Sequence, residues 1–315
     1  MHISRRGVIR SLSAGLVSHG MPFLTKGAWG QDLEIPIEGM EQFEPLPDGF
    51  SDGISSNETS DVNFGSINPP APYRSIAGAI MRGAPVNCRP IDVAYYFVNL
   101  RAGRIDPAVK AEIDAIADQV GDPDLKSELF LRLFAYDWER NNYYNPVVVG
   151  FFRGVGLVPY AGDQTPWCAT FANWCISRSK ARSKGEVIFS RTLRSFGTRS
   201  ASSGSFRCWG EDATASPKEG DIIVWARNSS LGAHCPTSGQ GHVAFLHSVV
   251  TDPAGVKRFV VVGGNQGFIG KPRQQGTQGS VRAKDVAQAV SRRTIGRTFG
   301  DRSLHSIRTA NFLRV

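Results

Sequence analysis

The sequence predicts an α+β fold, in which helices are followed by an antiparallel sheet. Apolar residues recur at three- and four-residue spacing from Pro90 to about Phe152, a pattern typical of amphipathic helices. A further helix is predicted from Thr165 to Arg178, where helix-start residues precede a largely apolar run. Short runs rich in aliphatic and β-branched residues come later, at 221–226, 242–250 and 258–262, and predict strands.

Residue pairs that contain proline predict where the early helices begin. Asp106-Pro107 is expected to start one helix and Asn145-Pro146 a shorter one, while Asp122-Pro123 marks a break. The stretch 178–205 is expected to be loops, and 306–315 is expected to be a closing strand. Two apolar stripes at helical spacing are expected to face the core: Val109, Ile113, Ile116 and Val120, then Leu125, Leu129, Leu133 and Tyr136.

The amino terminus has the features of an export signal. Arg5-Arg6 precedes a weakly apolar stretch from Leu12 to Leu24, and the small residues Ala28 and Gly30 then offer a cleavage site. This order resembles a twin-arginine export signal over residues 1–30. The protein is therefore expected to be bacterial and periplasmic or secreted. The alternative is a basic, disordered terminus that happens to contain two arginines.

The charge of the 315-residue chain, formally +8, is unevenly distributed. Residues 31–73 contain nine acidic and no basic residues, so 31–75 is interpreted as a flexible acidic arm or, alternatively, a segment packed along the body. The remainder, from Arg74 onward, carries about +13. This charge suits an anionic polymer such as cell wall, and nucleic acid is not expected because base-stacking aromatic patches are not evident. After the signal, no apolar run is long enough to predict a membrane-spanning helix.

The five cysteines fit one reactive thiol together with one or two disulfides, since an odd count in an exported chain leaves a thiol over. Cys208 with Cys235 is the favoured bridge, although spacing alone does not fix connectivity. Cys175 lies two turns beyond Cys168 on the predicted helix, about 10 Å by helical rise, which is too far for a disulfide. It is expected to be a buried core thiol.

Cys168 is the candidate nucleophile. Thr165 is a good N-cap and Pro166 suits the first helical position, so Cys168 falls in the first turn of the predicted helix. The helix dipole and the amides of that turn stabilise a thiolate, and cysteines placed in this way have pKa values of roughly 3.5–7.5. The alternative is a second buried thiol. The side chains at 167, 171, 174 and 178 are expected to anchor the helix against a sheet.

His242 is the candidate general base, because it enters a strand directly after Gly241, which is expected to leave room for a substrate. His247 faces the opposite side of that strand, and His305 lies in a polar tail. Asn265 follows two glycines at the end of a neighbouring predicted strand, where its carboxamide can accept the ring N–H of His242. The alternatives are a structural histidine and an ordinary turn asparagine.

Four short blocks that include these residues, at 165–169, 217–224, 241–245 and 263–266, occur in a familiar order. Together they resemble the CHAP branch (cysteine, histidine-dependent amidohydrolase/peptidase) of the NlpC-like, papain-related peptidoglycan hydrolases. The resemblance spans roughly residues 145–315, taken as the catalytic domain, with a helical subdomain at 76–144. It implies a papain-like or NlpC-like fold with the nucleophile helix packed on the sheet.

The resemblance implies acyl transfer through a thioester, without a cofactor. Cys168 is the implied nucleophile, His242 the base and Asn265 the residue that orients the base. The oxyanion is expected near the Cys168 backbone amide, with Gln164 as a candidate second donor. Peptidoglycan stem peptides are the expected substrate. The stretch between Arg178 and Ser200 is longer and more basic than this family leads one to expect, which leaves the substrate less certain than the chemistry.

Two other readings compete with catalysis by Cys168. Cys208, His234, Cys235 and His242 offer ligands that suit Zn²⁺, but no pair has CxxC or HxxxH spacing, so no metal is expected. A module that binds the cell wall and keeps only the fold is the second alternative.

Overall fold

The computed structural model describes residues 69–135, 144–157, 159, 165–185, 191–227, 241–251, 257–265, 298–299 and 302–314. They belong to one compact unit that spans 36–315. The predicted export signal and most of the predicted acidic arm lie outside the described residues. A helix begins at Ala71, within the last residues assigned to the arm, and the arm itself stays a prediction.

Helices fill the first part of the described chain and come before most of the sheet. Their bounds are α1 Ala71–Gly83, α2 Pro90–Arg101, α3 Pro107–Val120, α4 Glu128–Leu133, α5 Pro146–Arg153, α6 Cys168–Ser179 and α7 Arg191–Arg194. Short 3-10 turns lie at Pro123–Lys126, Ser203–Phe206 and Asn311–Leu313.

The predicted helix starts at Asp106 and Asn145 are confirmed. The Asp106 carboxylate accepts hydrogen bonds from the amides of Ala108 and Val109, and the Asn145 side-chain oxygen accepts one from Val147 at 2.8 Å. Each side chain therefore caps a helix whose first residue is proline. The start of each of these two helices is therefore determined by residues close in sequence.

The second predicted apolar stripe is wrong in part. Leu125 is buried, but Leu129 is 54% exposed, and Leu131 is buried in its place. The cause is a break at Ser127, which separates the 3-10 turn from α4 and shifts the phase of the side chains. A single helix with four-residue spacing was expected, and Tyr136 of that stripe lies outside the described residues.

An antiparallel sheet follows the helices, with strand order β1-β6-β2-β3-β4 and β5 paired to β6. The three predicted strands are confirmed within a residue at each end. The closing strand ends earlier than predicted, because a 3-10 turn follows it. The bounds are β1 Glu211–Asp212, β2 Ile222–Arg227, β3 Gly241–Thr251, β4 Lys257–Val262, β5 Thr298–Phe299 and β6 Arg302–Thr309.

The two faces of the sheet carry separate apolar clusters. Val243 and Phe245 of β3 pack into the large core that contains α1 to α6, whereas Ala244 and Leu246 pack with residues of β2, β4 and β6 on the other face. This division follows from the alternation of side chains along a strand. The sheet therefore has one face against the helices and one outer apolar face.

The α+β fold, with helices ahead of an antiparallel sheet, is as predicted. The region before residue 145 shares one apolar core with α6 and the sheet, so its helices support the candidate site directly. The boundary between a helical subdomain and a catalytic domain at 144/145 stays a prediction. Among the described residues, no helix is both long and apolar enough to cross a membrane.

Candidate active site

Helix α6 begins at Cys168, three residues later than predicted. Trp167 has non-helical angles (φ −116°, ψ 16°), and its carbonyl accepts the first helical hydrogen bond, from the Phe171 amide at 3.0 Å. Thr165 and Pro166 therefore lie outside the helix, and the expected N-cap at Thr165 is wrong. The correction brings Cys168 to the first helical residue, where the helix dipole acts most strongly on a thiolate.

Aromatic packing holds the start of α6 in place. Trp167 and Phe171 are fully buried, and both contact Phe151 of α5, with ring centroids 5.8 Å and 5.1 Å away. Trp174, one turn further along, contacts Phe97 of α2 at 5.4 Å. These three side chains of α6 were expected to anchor it against a sheet. In the described contacts they anchor it chiefly against neighbouring helices, which fixes the position of Cys168.

The end of β4 packs directly on the start of α6 through Gly264. A Cβ added at Gly264 would lie 2.6 Å from Cζ3 of Trp167 and 2.7 Å from Cβ of Phe171. Contacts this short leave no space for any side chain, so the backbone after β4 can approach α6 only because glycine stands there. Asn265, the next residue, is therefore held beside the helix that begins with Cys168.

His242 lies at the same end of the sheet. It is the second residue of β3, which is antiparallel to β4, so β3 begins where β4 ends. The register pairs Phe245 with Val262. Beyond Val262 the chain leaves the strand, with bends at Gly264 and Asn265, so Asn265 follows the end of β4 close to the start of β3. One end of the sheet thus brings together the start of β3, the end of β4 and, through Gly264, the start of α6.

Trp225 forms a wall beside His242 that was not predicted. It is the cross-strand neighbour of His242 on β2, and the two rings lie 5.7 Å apart between centroids, tilted by 34°. Trp225 is almost fully buried, whereas His242 is partly exposed. The indole therefore restricts the positions of the imidazole from the side of β2.

Gly241 has a different role from the one expected. A Cβ at this position would lie 2.0 Å from the Trp225 carbonyl oxygen and 3.2 Å from Oγ of Ser203. The glycine thus allows close approach of β2 to β3 at the residue before His242. The described contacts give a structural reason for Gly241, and the predicted room for substrate stays a prediction.

Asn265 has two properties that suit an orienting residue. Its backbone is left-handed (φ 54°), a conformation that asparagine tolerates better than most residues. Its side-chain Oδ1 is buried and, within the described part of the chain, accepts no hydrogen bond. A buried acceptor without a donor is costly, so a donor such as an imidazole N–H would stabilise it.

The other described histidines have separate structural settings. His247 lies at the irregularity between β3 and β4, and its Nδ1 makes a hydrogen bond with the Tyr95 hydroxyl of α2. Burial, followed by the charge of Glu219, raises the pKa of Tyr95 to about 12. His247 thus contacts the helical layer, whereas His242 contacts Trp225 of the outer cluster, consistent with the predicted opposite orientations.

His305 does not lie in a polar tail, as was expected, but within β6. Burial lowers its pKa, and the positive charges of Arg207 and Arg308 lower it further. Its ring lies within hydrogen-bond distance of the Ser306 hydroxyl, at 3.0 Å. His234 lies outside the described residues.

The described cysteines divide into three kinds. Cys175 is fully buried, and burial raises its pKa well above the usual value, as expected for a core thiol. Cys208 is disulfide-bonded, which removes it as a ligand from the alternative zinc site. Cys168 is not in a disulfide, and 5% of its surface is exposed. Cys235 and Gln164 lie outside the described residues, so the Cys208–Cys235 bridge and the second oxyanion donor stay predictions.

Asn173 positions the loop that follows α6, and no sequence signal indicated it. Its amide nitrogen donates to the carbonyls of Ala169 and Ser200, at 2.9 Å and 3.0 Å, and its oxygen accepts from the Thr198 amide at 2.7 Å. The carboxamide lies one turn beyond Cys168 and is buried. Asn173 therefore fixes residues 198–200, part of the predicted loop stretch 178–205, against α6.

Comparison with protein families gives one match. Residues 160–265, about a third of the chain, match the model of the CHAP domain, and this range includes Cys168, His242 and Asn265. No curated protein and no solved structure matches the chain. The predicted resemblance to CHAP domains is confirmed over this range. The match indicates activity of the amidohydrolase or peptidase type.

Proposed function

We propose that this chain, which carries a CHAP domain over residues 160–265, is an exported cysteine amidase or peptidase that cleaves an amide bond in peptidoglycan stem peptides. The observation that carries the proposal is the packing of Gly264 on Trp167. It brings the end of β4, and with it the neighbouring start of β3, to the first turn of α6. The three elements that carry the thiol, the imidazole and the carboxamide meet at one end of the sheet. His242 lies on the sheet face of Trp225 and α6 packs on the other face, so the proposal requires the imidazole to reach Cys168 at that end.

In the proposed reaction the Cys168 thiolate attacks the carbonyl carbon of the amide. Its position as the first residue of α6 favours the ionised sulfur, since the positive end of the helix dipole stabilises an anion. The negative charge that develops on the carbonyl oxygen is stabilised by the backbone amide of Cys168. Gln164, a few residues ahead, is the proposed second donor.

His242 transfers protons in both halves of the reaction. It takes the thiol proton, gives it to the leaving amine as the thioester forms, and then activates the water that hydrolyses the thioester. In the structure the buried Oδ1 of Asn265 accepts no hydrogen bond from a described residue, His242 included. The proposed mechanism therefore requires the imidazole to turn toward Asn265, donate its N–H to this oxygen and so present its other nitrogen to sulfur. Trp225 restricts the ring from the side of β2.

Charge and cysteine use support the proposed substrate and location. The body from Arg74 onward is strongly basic, which favours approach to an anionic polymer such as the bacterial cell wall. Arg5-Arg6 and the apolar stretch after them support twin-arginine export to the periplasm or the exterior. The disulfide at Cys208 is in keeping with an oxidising compartment.

The second candidate is a wall-binding module that keeps the CHAP fold without turnover. The basic body would serve either function, but a cysteine outside a disulfide at the first residue of α6 favours catalysis, because a binding module has no need of a thiol at a helix N-terminus.

The deciding experiment incubates purified protein with sacculi and identifies the released fragments by mass spectrometry. We expect soluble stem-peptide fragments from the wild type and none from Cys168→Ala. Cys88→Ser, which removes a thiol far from the start of α6, is the matched control and should keep full activity. Release by Cys168→Ala would overturn the assignment, and binding of sacculi by the wild type without release would favour the binding module.

A further inference from the structure

Two thiols outside the candidate site lie in the same part of the core. Cys88 is partly buried in the short connection between α1 and α2, and it packs against the large apolar cluster. Cys175 belongs to that cluster and is fully buried on α6. Both are free thiols in the structure. Neither takes part in the proposed reaction, so their proximity needs another explanation.

The connection that carries Cys88 is tied to the second half of α6. The Cys88 amide donates a hydrogen bond to the Ser179 carbonyl at 3.3 Å. The buried guanidinium of Arg178 donates to the carbonyls of Ala84, at 2.8 Å and 3.0 Å, and of Arg82, at 2.6 Å. Three backbone groups of residues 82–88 are thus held at the end of α6, within one turn of Cys175 in sequence.

Electrostatics give a second indication that the two sulfurs are close. Burial is the main cause of the raised pKa of Cys175, and the charge of Cys88 is the next. This effect of Cys88 on Cys175 agrees with the hydrogen bond that ties the Cys88 backbone to Ser179, one turn from Cys175. The left-handed backbone of Asn87 (φ 50°) lies directly before Cys88, in a segment without helical hydrogen bonds. A disulfide requires the Cα atoms to lie about 4.4–6.8 Å apart, and a segment outside the helices can adjust to that geometry more readily than α6 can.

We propose that Cys88 and Cys175 form a second disulfide when the folded protein meets an oxidising compartment. With Cys208 already in a disulfide, this bond leaves Cys168 as the single thiol among the described cysteines. It explains the odd cysteine count without an intermolecular bond. It also removes two thiols that could otherwise form an incorrect disulfide with Cys168. The proposal does not depend on the proposed activity.

The bond forms by two thiol–disulfide exchanges with an external disulfide, of either a small molecule or an oxidoreductase. The more accessible Cys88 thiolate attacks one sulfur of that disulfide, which releases one thiolate and leaves a mixed disulfide on Cys88. The Cys175 thiolate then attacks the Cys88 sulfur and releases the second thiolate. The two protons lost by the cysteines end on the two released thiols, and the external disulfide accepts the two electrons.

The test counts thiols in the full-length protein after equilibration with glutathione disulfide. The sample is quenched with acid, unfolded and alkylated, and the number of alkylated cysteines is read from the intact mass. We expect one alkylated cysteine in the wild type, none in Cys168→Ser and two in Cys88→Ser. A digest without reduction should contain the peptide of Cys88 linked to that of Cys175.

Two results would overturn the proposal. One is three alkylated cysteines in the oxidised wild type with no linked peptide. The other is a linked peptide that joins Cys88 or Cys175 to a different cysteine. A stability readout guards against an artefact of unfolding: oxidised wild type should melt several degrees above oxidised Cys88→Ser, because the bond closes a loop of about 87 residues. After reduction the two melting temperatures should converge.

Discussion

The start and the interior of α6 place the same residue type in opposite chemical settings. Cys168, at the first residue, lies where the dipole of the helix favours negative charge and where the ends of β3 and β4 bring polar side chains. Cys175, two turns later, is surrounded by apolar core, and burial raises its pKa well above the ordinary value. About 10 Å of helical rise separates the two residues.

This comparison shows that position within the fold, and not residue type, determines which thiol can react. The sequence of α6 is apolar around both cysteines, so hydropathy alone does not distinguish them. What distinguishes them is the helix terminus and the glycine at 264 that lets a strand end reach it. The following predictions test each part of that difference.

Replacement of His242 should have the largest effect. Loss of a general acid–base group typically costs 10²–10⁴-fold in rate, so we expect His242→Ala to lower fragment release by about 10³-fold. His247→Gln is the matched control, since this histidine is on the same strand but contacts Tyr95 instead. The rate of fragment release from sacculi is measured for both variants. Equal losses in the two variants would contradict the assignment of His242 as the base.

Replacement of Gly264 should break the contact between strand end and helix. In Gly264→Ala the new methyl group would meet the Trp167 ring at 2.6 Å, and overpacking of this kind costs about 1–3 kcal/mol. We expect a lower melting temperature together with a loss of activity of at least about 10-fold, because Asn265 moves with the backbone.

Gly185→Ala is the control for Gly264, because a Cβ there meets nothing within 4 Å. It should leave both the melting temperature and the activity unchanged. If Gly264→Ala lowers stability but keeps full activity, the position of Asn265 is not critical for the reaction.

Replacement of Asn265 should have a smaller effect, on activity rather than stability. Partners that orient a histidine in metal sites typically contribute about 10–100-fold, and by analogy Asn265→Ala is expected to lose activity in that range. Asn87→Ala is the matched control, since Asn87 has a similar left-handed backbone (φ 50° against 54°) away from the site. The control separates the cost of the backbone conformation from the loss of the carboxamide.

The elements that could be predicted from sequence depend on residues a few positions apart. Asp106 and Asn145 cap their helices from two residues away, and short runs rich in aliphatic and β-branched residues predicted β2, β3 and β4. The prediction for Leu129 failed because a break at Ser127 shifted the helical phase. A local pattern gives no warning of such a break, since serine is also acceptable within a helix.

The candidate site was predicted in its residues but not in its supports. Cys168, His242 and Asn265 each stand beside a recognisable helix start or strand end. In contrast, Trp225 contacts His242 from the neighbouring strand, and Asn173 holds a loop some 25 residues away in sequence. Contacts between distant residues depend on the packed structure, and a single sequence carries no record of them.

Replacement of Cys175 should have the smallest effect. It tests whether the buried thiol of α6 has only a structural role. In reducing buffer, Cys175→Ala leaves a small cavity in the core, so we expect a loss of about 1 kcal/mol in the free energy of unfolding and unchanged fragment release. Thermal unfolding measures the change in stability, and fragment release from sacculi measures the activity. In reduced, folded wild type, iodoacetamide should label Cys168 and leave Cys175 unmodified, because burial both blocks access and disfavours the thiolate. Labelling of Cys175 at a rate similar to that of Cys168 would contradict the contrast between these two positions on α6. It would mean that neither the helix terminus nor the core controls thiol reactivity.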